Sequence, residues 1–314
     1  MARKPRIHYT GAFYHVMLRG NGKQDIFIVD DDRYRFSLFL QEGIERYRHL
    51  VHAFCLMTNH VHLLVQVEDV PLSRIMQNVS FRYTRWFNWK HGKSGHLFQG
   101  RYKAVVIDSD EYLAELVRYL HLNPVRAGMT KEPLGYAWSS HRAYLGKEAI
   151  PWVTVDPTLS SFGKLRDVAR KNFHQFVIEG INEGHRPEFH GLAAIDSRLL
   201  GDEPFVESVL AQSEEVSARQ VGMGELVDAV CRYYQISAND LKGRTHHSSH
   251  ARAMAAWIAL ESAGCTITEL AKMTGRDLST LSSRAKRLQV RARKDTQLLA
   301  DCKAIREEIA RVQA

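Results

Sequence analysis

Apolar residues in the first 130 positions of the chain alternate between two spacings. Runs rich in β-branched and aromatic residues suit strands, and between them apolar residues recur every three or four positions, as on one face of a helix. The predicted strands span residues 12–20, 51–57, 61–67 and 102–107, and the predicted helices span residues 31–50, 71–90 and 109–122. We expect Pro124 to end the last of these helices.

The order βαββαβα predicts the α+β class and a ferredoxin-like fold for residues 1–130. In that fold one antiparallel sheet carries helices on one face, and its other face is free for a ligand. Residues 131–218 are less regular and are predicted to form a helical connector. From residue 219 the pattern is wholly helical, which predicts an all-α domain at 219–290 and a C-terminal helical tail at 291–314.

The composition favours a polyanionic partner. The 314 residues include 43 Lys or Arg and 35 Asp or Glu, which gives a net charge of +8 and a pI near 9.3. Between residues 220 and 294 there are 12 basic residues and 6 acidic ones, so this segment carries +6, most of the net charge of the chain. The four cysteines are widely spaced and form no CxxC pair, so they suggest neither a disulfide framework nor a zinc finger.

The chain shows no targeting or membrane signal. No run approaches the roughly 20 apolar residues of a membrane helix, and the first residues lack the apolar segment and cleavage site of a signal peptide. We therefore expect a cytoplasmic, nucleoid-associated protein without a membrane partner.

The stretch "LMTNHVHLLV", residues 56–65, places two histidines on one predicted strand. Residues two apart on a strand point the same way, so His60 and His62 share one sheet face while Val61 and Leu63 share the other. Two such imidazoles can bind one divalent ion, but the site needs a further ligand. Taken alone, an HxH pair is more often just two polar residues on a half-exposed strand.

The helix predicted at 109–122 offers that further ligand. A stripe about 110° from its apolar face carries Tyr112, Glu115, Tyr119 and Asn123. Tyr119 is the candidate nucleophile, and the side-chain oxygen of Asn123 is the candidate third ligand of a metal at His60 and His62. Because tyrosine has a pKa near 10, a cation that polarises the electrophile and stabilises the leaving charge would assist it. The alternative for Tyr119 is an aromatic residue at a packing interface.

Four motifs, in this order and spacing, carry a resemblance to a known family: "YHVMLRGN", "CLMTNHVHLLV", "GHLFQGRYKA" and "YLAELVRYLHLNPVRAG". Over residues 7–145 the chain resembles the REP-associated tyrosine transposases, single-tyrosine HUH endonucleases of the IS200-like family. The resemblance implies that residues 1–130 cut single-stranded DNA beside a hairpin, with His60 and His62 as the HUH pair and Tyr119 as the catalytic tyrosine. Asn123 stands where related transposases have a metal-binding Gln, and Thr58 where the family usually has proline.

The resemblance also implies a transesterification mechanism. Tyr119 attacks a phosphodiester and leaves a 5′-phosphotyrosine and a free 3′-hydroxyl, while Mg²⁺ or Mn²⁺ held by His60, His62 and Asn123 polarises a non-bridging oxygen. Family relatives include dimers, so self-association and the subunit in which Tyr119 acts stay open. Two rival hypotheses are a catalytically silent regulator that binds DNA hairpins and an RNA-directed nuclease, since a free sheet face would serve either.

Basic residues beside the four motifs are candidate phosphate contacts, because guanidinium and ammonium groups form charge-assisted hydrogen bonds with phosphate. These residues are Arg19, Arg101, Lys103, Arg118 and Arg126, of which Arg126 is the strongest candidate. The stretch 80–103 interleaves aromatic residues with Arg and Lys, a composition typical of surfaces that stack unpaired bases, although most of its rings are expected in the core.

Residues 266–289 predict two helices separated by a short turn at 274–277, which is the layout of a helix-turn-helix with 278–288 as its recognition helix. With the helices before it, this segment resembles the DNA-binding domain of the bacterial initiator DnaA, which implies duplex DNA as a second partner. The candidate contacts are Arg244, His246, His247, Arg252, Arg276, Ser279, Thr280, Ser283, Arg284 and Lys286. A metal at His246, His247 and His250 is disfavoured because no carboxylate or thiolate lies nearby.

Overall fold

The computed structural model describes residues 7–192, 196–218, 221–262, 264–292 and 295–312. The chain forms two compact units, Met1–Ser213 and Glu214–Ala314. Most of the segment expected as a connector therefore belongs to the same unit as the N-terminal domain. Across the described ranges, no helix combines the length and apolar character that crossing a membrane requires.

The first unit follows the predicted order of elements. Its strands are β1 (Phe13–Arg19), β2 (Leu50–Met57), β3 (His60–Gln66), β4 (Lys103–Ile107) and β5 (Leu199–Leu200). Its helices are α1 (Asp30–Tyr47), α2 (Leu72–Lys90), α3 (Ser109–Arg126), α4 (His141–Tyr144), α5 (Asp156–Leu159), α6 (Arg166–Glu179) and α7 (Glu203–Ala218), the last of which extends past the boundary between the units. Short 3-10 turns include Asn21–Lys23, Gly180–Asn182 and Pro187–His190.

The five strands form one sheet in the order β2-β3-β1-β4-β5. The first four pair antiparallel, as a ferredoxin-like fold requires, whereas the two-residue β5 pairs parallel with β4. Thr58 and Asn59 form the tight turn between β2 and β3, since Met57 pairs with His60. The predicted α+β class is confirmed, with a mixed sheet instead of a purely antiparallel one.

One face of the sheet packs against α1 and α2. Val16 and Leu18 of β1, and Leu63 and Val65 of β3, are buried there in one cluster with apolar residues of the two helices. The side chains between them on β3 point the other way, as strand parity requires. The structure thus places Val61 and Leu63 on the core side, and His60 and His62 on the opposite face.

The opposite face is covered as well, which corrects the expectation of a free face. Leu64 of β3, Val105 of β4 and Phe173 of α6 lie in a second buried cluster with the apolar stripe of α3. Phe189, from the turn Pro187–His190, belongs to the same cluster and is completely buried. Residues beyond the predicted domain therefore complete the core of the sheet.

Helix α3 continues past Pro124 to Arg126, so the predicted helix end was wrong. Proline has no N–H, and the carbonyl of Leu120 therefore lacks its usual helical donor. The side-chain amide of Asn123 lies 3.5 Å from that carbonyl oxygen and donates to it. Because the helix continues, the Arg126 guanidinium lies over the ring of Tyr119, with its carbon 4.0 Å from the ring centre.

The second unit is helical, as predicted. Its helices are α8 (Met223–Tyr234), α9 (His246–Glu261), α10 (Ile267–Thr274), α11 (Leu278–Ala292) and α12 (Thr296–Val312). The small residues of α9 are almost fully buried, so the other helices surround it closely. Helix α10 ends at Gly275, whose φ of +62° suits glycine, and α11 begins three residues later.

Burial of His49 in the first unit makes stability sensitive to acid. His49 is 1% exposed, and neither ring nitrogen has a hydrogen-bond partner among the described residues. Burial lowers its pKa from 6.5 to about 4. The unfolded chain therefore binds the proton more tightly than the folded chain. The neutral His49 ring contributes fully to the unfolding free energy above pH 6.5, and this contribution is lost as the pH falls towards 4.

The unfolding free energy of the unsubstituted chain should fall when the pH is lowered from 8 to 5. We predict that in His49→Leu this fall is smaller by about 2 kcal/mol. The measurement is urea unfolding at both pH values, followed by tryptophan fluorescence. His96→Leu, which replaces an exposed histidine, serves as the control and should keep the acid sensitivity of the unsubstituted chain. Equal acid sensitivity in His49→Leu and the unsubstituted chain would contradict the prediction.

Candidate active site

His60 and His62 lie side by side at the start of β3, with ring centres 5.0 Å apart. Nδ1 of His60 is 2.7 Å from the side-chain oxygen of Asn59, and Nδ1 of His62 is 2.8 Å from Nε2 of His15. In the described part of the chain, Nε2 of neither ring has a hydrogen-bond partner. A metal-binding histidine has this arrangement, with one nitrogen held by an acceptor and the other presenting its lone pair.

A chain of hydrogen bonds fixes the tautomer of His62. Nδ1 of His15 lies 2.8 Å from the backbone oxygen of Phe189, and it carries the proton because a carbonyl only accepts. Burial lowers the pKa of His15 to about 3, so the ring is neutral and its Nε2 is an acceptor. His15 therefore accepts a hydrogen bond from Nδ1 of His62, which leaves the lone pair on Nε2 of His62.

Asn59 fixes the tautomer of His60 in the same way. Its side-chain oxygen accepts from Nδ1 of His60, and its Nδ2 donates to the backbone oxygen of Lys23 at 3.1 Å. The turn between β2 and β3 thus orients the amide, and the amide orients the ring. Burial lowers the pKa of His60 to about 4, and the nearby positive charge of Arg19 acts in the same direction.

Tyr119 approaches the two histidines from α3. Its ring centre is 6.4 Å from that of His62, and the residue is 4% exposed. Its hydroxyl lies 2.8 Å from Nε2 of His190, and the Arg126 guanidinium donates to its backbone oxygen. Burial raises the pKa of Tyr119 above 10, and the positive charge of Arg126 opposes that effect.

His190 and His15 are two site residues that sequence reasoning missed. His190 ends the turn Pro187–His190, and its ring centre is 6.1 Å from that of His62. It lies 71 positions from Tyr119, in a segment without a readable period, so no local signal linked the two. His15 did carry a signal, since it has the same strand parity as Met17, which pairs with His62.

The structure brings Tyr119, His60 and His62 together but does not show Asn123 in contact with either histidine. Asn123 is half-buried, and its amide nitrogen donates to the Leu120 carbonyl. Its side-chain oxygen is the atom available to coordinate a metal. Throughout the described ranges, no group of three or more His, Cys, Asp or Glu side chains is arranged to hold a metal. A third protein ligand would therefore come from another residue type, and Asn123 stays the prediction.

The basic residues near the motifs differ in availability. Arg19, Arg101 and Lys103 are exposed, and Arg126 lies beside Tyr119. Arg118, in contrast, forms ion pairs of 2.6 Å with both Glu115 and Glu183. Because these pairs fasten the segment after α6 to α3, the Arg118 guanidinium is engaged within the protein, and its contact with phosphate stays a prediction.

The candidate duplex contacts in the second unit also fall into two groups. Arg252 is 6% exposed and donates to the backbone oxygens of Leu241 and Gly243, so its guanidinium is engaged within the second unit, and its contact with DNA stays a prediction. Arg276 donates to the backbone of the same loop. The exposed candidates are Arg244, His246, His247, Ser279, Thr280, Ser283, Arg284 and Lys286.

Residues 8–123 match the family model described as "Transposase IS200 like". This match confirms the resemblance to the IS200-like transposases drawn from the motifs. None of the curated proteins matches the chain. One similar solved structure is described as a REP-associated tyrosine transposase bound to a REP hairpin. The two chains are 16% identical over an alignment that spans 49% of this chain and 92% of the other chain, with a TM-score of 0.40.

Gly191 ends the turn that carries Phe189 and His190, and its replacement tests how tightly that turn is held. Its φ is +63°, and a Cβ at this position would lie 2.1 Å from the backbone oxygen of Ser197. We predict that Gly191→Ala lowers the unfolding free energy by about 1–3 kcal/mol, because the turn or Ser197 must shift. Thermal unfolding measures the effect.

The matched control is Gly184→Ala. A Cβ there meets no atom within 4 Å, and the backbone does not have a positive φ, so the melting temperature should stay close to that of the unsubstituted chain. Equal melting temperatures for the two variants would show that Gly191 accommodates a side chain, and would count against a tightly held turn at Pro187–His190.

Proposed function

We propose that the first unit is a metal-dependent endonuclease and strand transferase that cuts single-stranded DNA beside hairpins through a 5′-phosphotyrosine at Tyr119. The observation that carries this proposal is that the hydroxyl-bearing ring of Tyr119 lies beside His62, which in turn neighbours His60, within one chain. The match of residues 8–123 to the IS200-like transposase family supports it. The motifs that resemble REP-associated transposases are the basis for naming a hairpin as substrate.

We propose Mg²⁺ or Mn²⁺ as the metal, because the family resemblance implies these ions and an amide oxygen is a donor that both prefer. Nε2 of His60, Nε2 of His62 and the side-chain oxygen of Asn123 would hold the ion, with the two imidazoles neutral and their tautomers fixed by Asn59 and His15. A bound divalent cation would polarise the scissile phosphate and stabilise the charge that develops on the leaving oxygen.

The residues of the chain supply the nucleophile and its orientation. The Tyr119 oxygen forms a bond to phosphorus, the bond from phosphorus to the 3′-oxygen breaks, and the phosphate stays on the 5′ end of the downstream fragment as a tyrosyl ester. The guanidinium of Arg126, next to the Tyr119 ring, is placed to bind the negative phosphate. Because Tyr119 and the histidines of one chain already lie together, we propose that Tyr119 acts in its own subunit.

We predict that Tyr119→Phe abolishes covalent attachment to a 3′-labelled single-stranded hairpin in Mg²⁺, because the variant lacks only the nucleophilic oxygen. The label should migrate with the unsubstituted protein on a denaturing gel, and chelation of the metal should prevent this. Tyr112→Phe, on the same helix, is the matched control and should retain attachment.

Other results would favour a rival function. Attachment that persists in Tyr119→Phe would remove Tyr119 from the mechanism. Hairpin binding by the unsubstituted protein without any cleavage would indicate the silent regulator, and equal cleavage of an RNA hairpin would contradict the proposed substrate class.

We further propose that the second unit binds duplex DNA through the exposed side of α11. Ser279, Thr280, Ser283, Arg284 and Lys286 are all exposed on this helix, while Leu281, Ala285 and Leu288 face the core. This division leaves a polar and basic helix surface available for a groove.

We predict that Arg284→Ala weakens binding of a 30-base-pair duplex and reduces the slope of log affinity against log salt by about 1, because one phosphate contact is lost. Fluorescence anisotropy at several salt concentrations measures both quantities. Lys303→Ala on α12, also exposed, is the control and should leave the slope unchanged. An unchanged slope in Arg284→Ala would exclude this residue from the duplex interface.

A further inference from the structure

We propose that His190 is the general base that takes the proton from Tyr119. The inference rests on the proposed function, because it assigns the activation of the nucleophile named there. His190 lies outside residues 8–123, which match the transposase family, and was not among the residues that the sequence predicted for the site.

The geometry brings the two reacting atoms into direct contact. The Tyr119 oxygen is 2.8 Å from Nε2 of His190, a distance at which the hydroxyl donates to the imidazole lone pair. The Arg126 side chain also forms a hydrogen bond with the Tyr119 side chain, and a guanidinium can only donate, so His190 is the partner that accepts from the hydroxyl. With the hydroxyl donating, Nε2 of His190 presents its lone pair to the Tyr119 proton, and the proton of the ring lies on Nδ1.

The other polar groups around Tyr119 are unsuited to this role. Nε2 of His15 is already occupied by His62, and its Nδ1 donates to a carbonyl. Arg126 has no lone pair to offer, because a guanidinium only donates. The phenol itself is buried, with a raised pKa, so it needs an acceptor before its oxygen becomes an effective nucleophile.

The turn that carries His190 is held on several sides. The backbone oxygen of Phe189 accepts from His15, the buried Phe189 ring lies 5.1 Å from the ring of Tyr119, and Lys103 donates to the backbone oxygen of His190. Arg186 adds an ion pair of 3.2 Å to Glu115 on α3. One short turn therefore orients both the proposed metal ligand His62, through His15, and the nucleophile.

In the proposed step, each bond that forms is matched by one that breaks. The Tyr119 proton moves to Nε2 of His190, the tyrosine oxygen forms its bond to phosphorus, and the bond from phosphorus to the 3′-oxygen breaks. The leaving 3′-oxygen takes a proton from water. In the rejoining reaction, a 3′-hydroxyl gives its proton to water and bonds to phosphorus, the bond from phosphorus to the tyrosine oxygen breaks, and that oxygen recovers its proton from His190.

The test compares the rate of covalent attachment to a 3′-labelled hairpin in His190→Gln, His190→Ala and His185→Gln. Glutamine accepts a hydrogen bond from Tyr119 but is not a base, so we expect His190→Gln and His190→Ala to slow attachment by about 10²–10⁴-fold while hairpin affinity stays unchanged. Added imidazole should restore part of the rate in His190→Ala. His185, which stacks on His190 at 4.7 Å, is the control and should cost only a few-fold in rate when replaced.

The outcomes separate this inference from the proposed function. A rate within a few-fold of the unsubstituted protein in His190→Gln, a faster rate in His190→Ala, or a loss that imidazole does not restore would overturn the assignment of His190 as base. Failure of the proposed function would look different: the unsubstituted protein would form no adduct, or Tyr119→Phe would still form one.

Discussion

The hydrogen bond from His15 to the backbone oxygen of Phe189 determines the state of the rest of the site. A carbonyl oxygen can only accept, so this one contact places the proton of His15 on Nδ1 and the lone pair on Nε2. His62 must then donate from its own Nδ1, and its Nε2 presents a lone pair. Both rings are buried and their pKa values are lowered by that burial, so the order of donors and acceptors holds at neutral pH.

This dependence makes the segment after α6 part of the site. Phe189 and His190 adjoin in the chain, and one supplies the acceptor for His15 while the other contacts the Tyr119 hydroxyl. Phe189 is also fully buried against the sheet, so displacing the turn would uncover apolar surface as well as break hydrogen bonds. The site is therefore assembled from β1, β3, α3 and this turn, although the family match ends at residue 123.

The sequence predicted what local periodicity controls. Strand parity correctly separated His60 and His62 from Val61 and Leu63, and the order of elements was sufficient for the fold class. Periodicity carries no information on which distant segment covers a sheet face, so the cover by Phe189, 174 positions from His15, was not foreseen. For the same reason the arginine at 252 was predicted as a surface charge, whereas its guanidinium is buried among backbone oxygens.

The site divides charge between two kinds of residue. Burial lowers the pKa of His15, His60, His62 and His190, so these rings are neutral and do not repel a divalent cation. The positive charges nearby belong to Arg126 and Lys103, whose guanidinium and ammonium groups suit a phosphate group. In the proposed function, neutral nitrogen ligands at the centre and fixed positive charges beside them would allow one small site to bind a metal cation and a DNA phosphate together. A cluster of protonated histidines would attract the phosphate but would exclude the metal, so burial of the imidazoles is as necessary to the proposed chemistry as their identity.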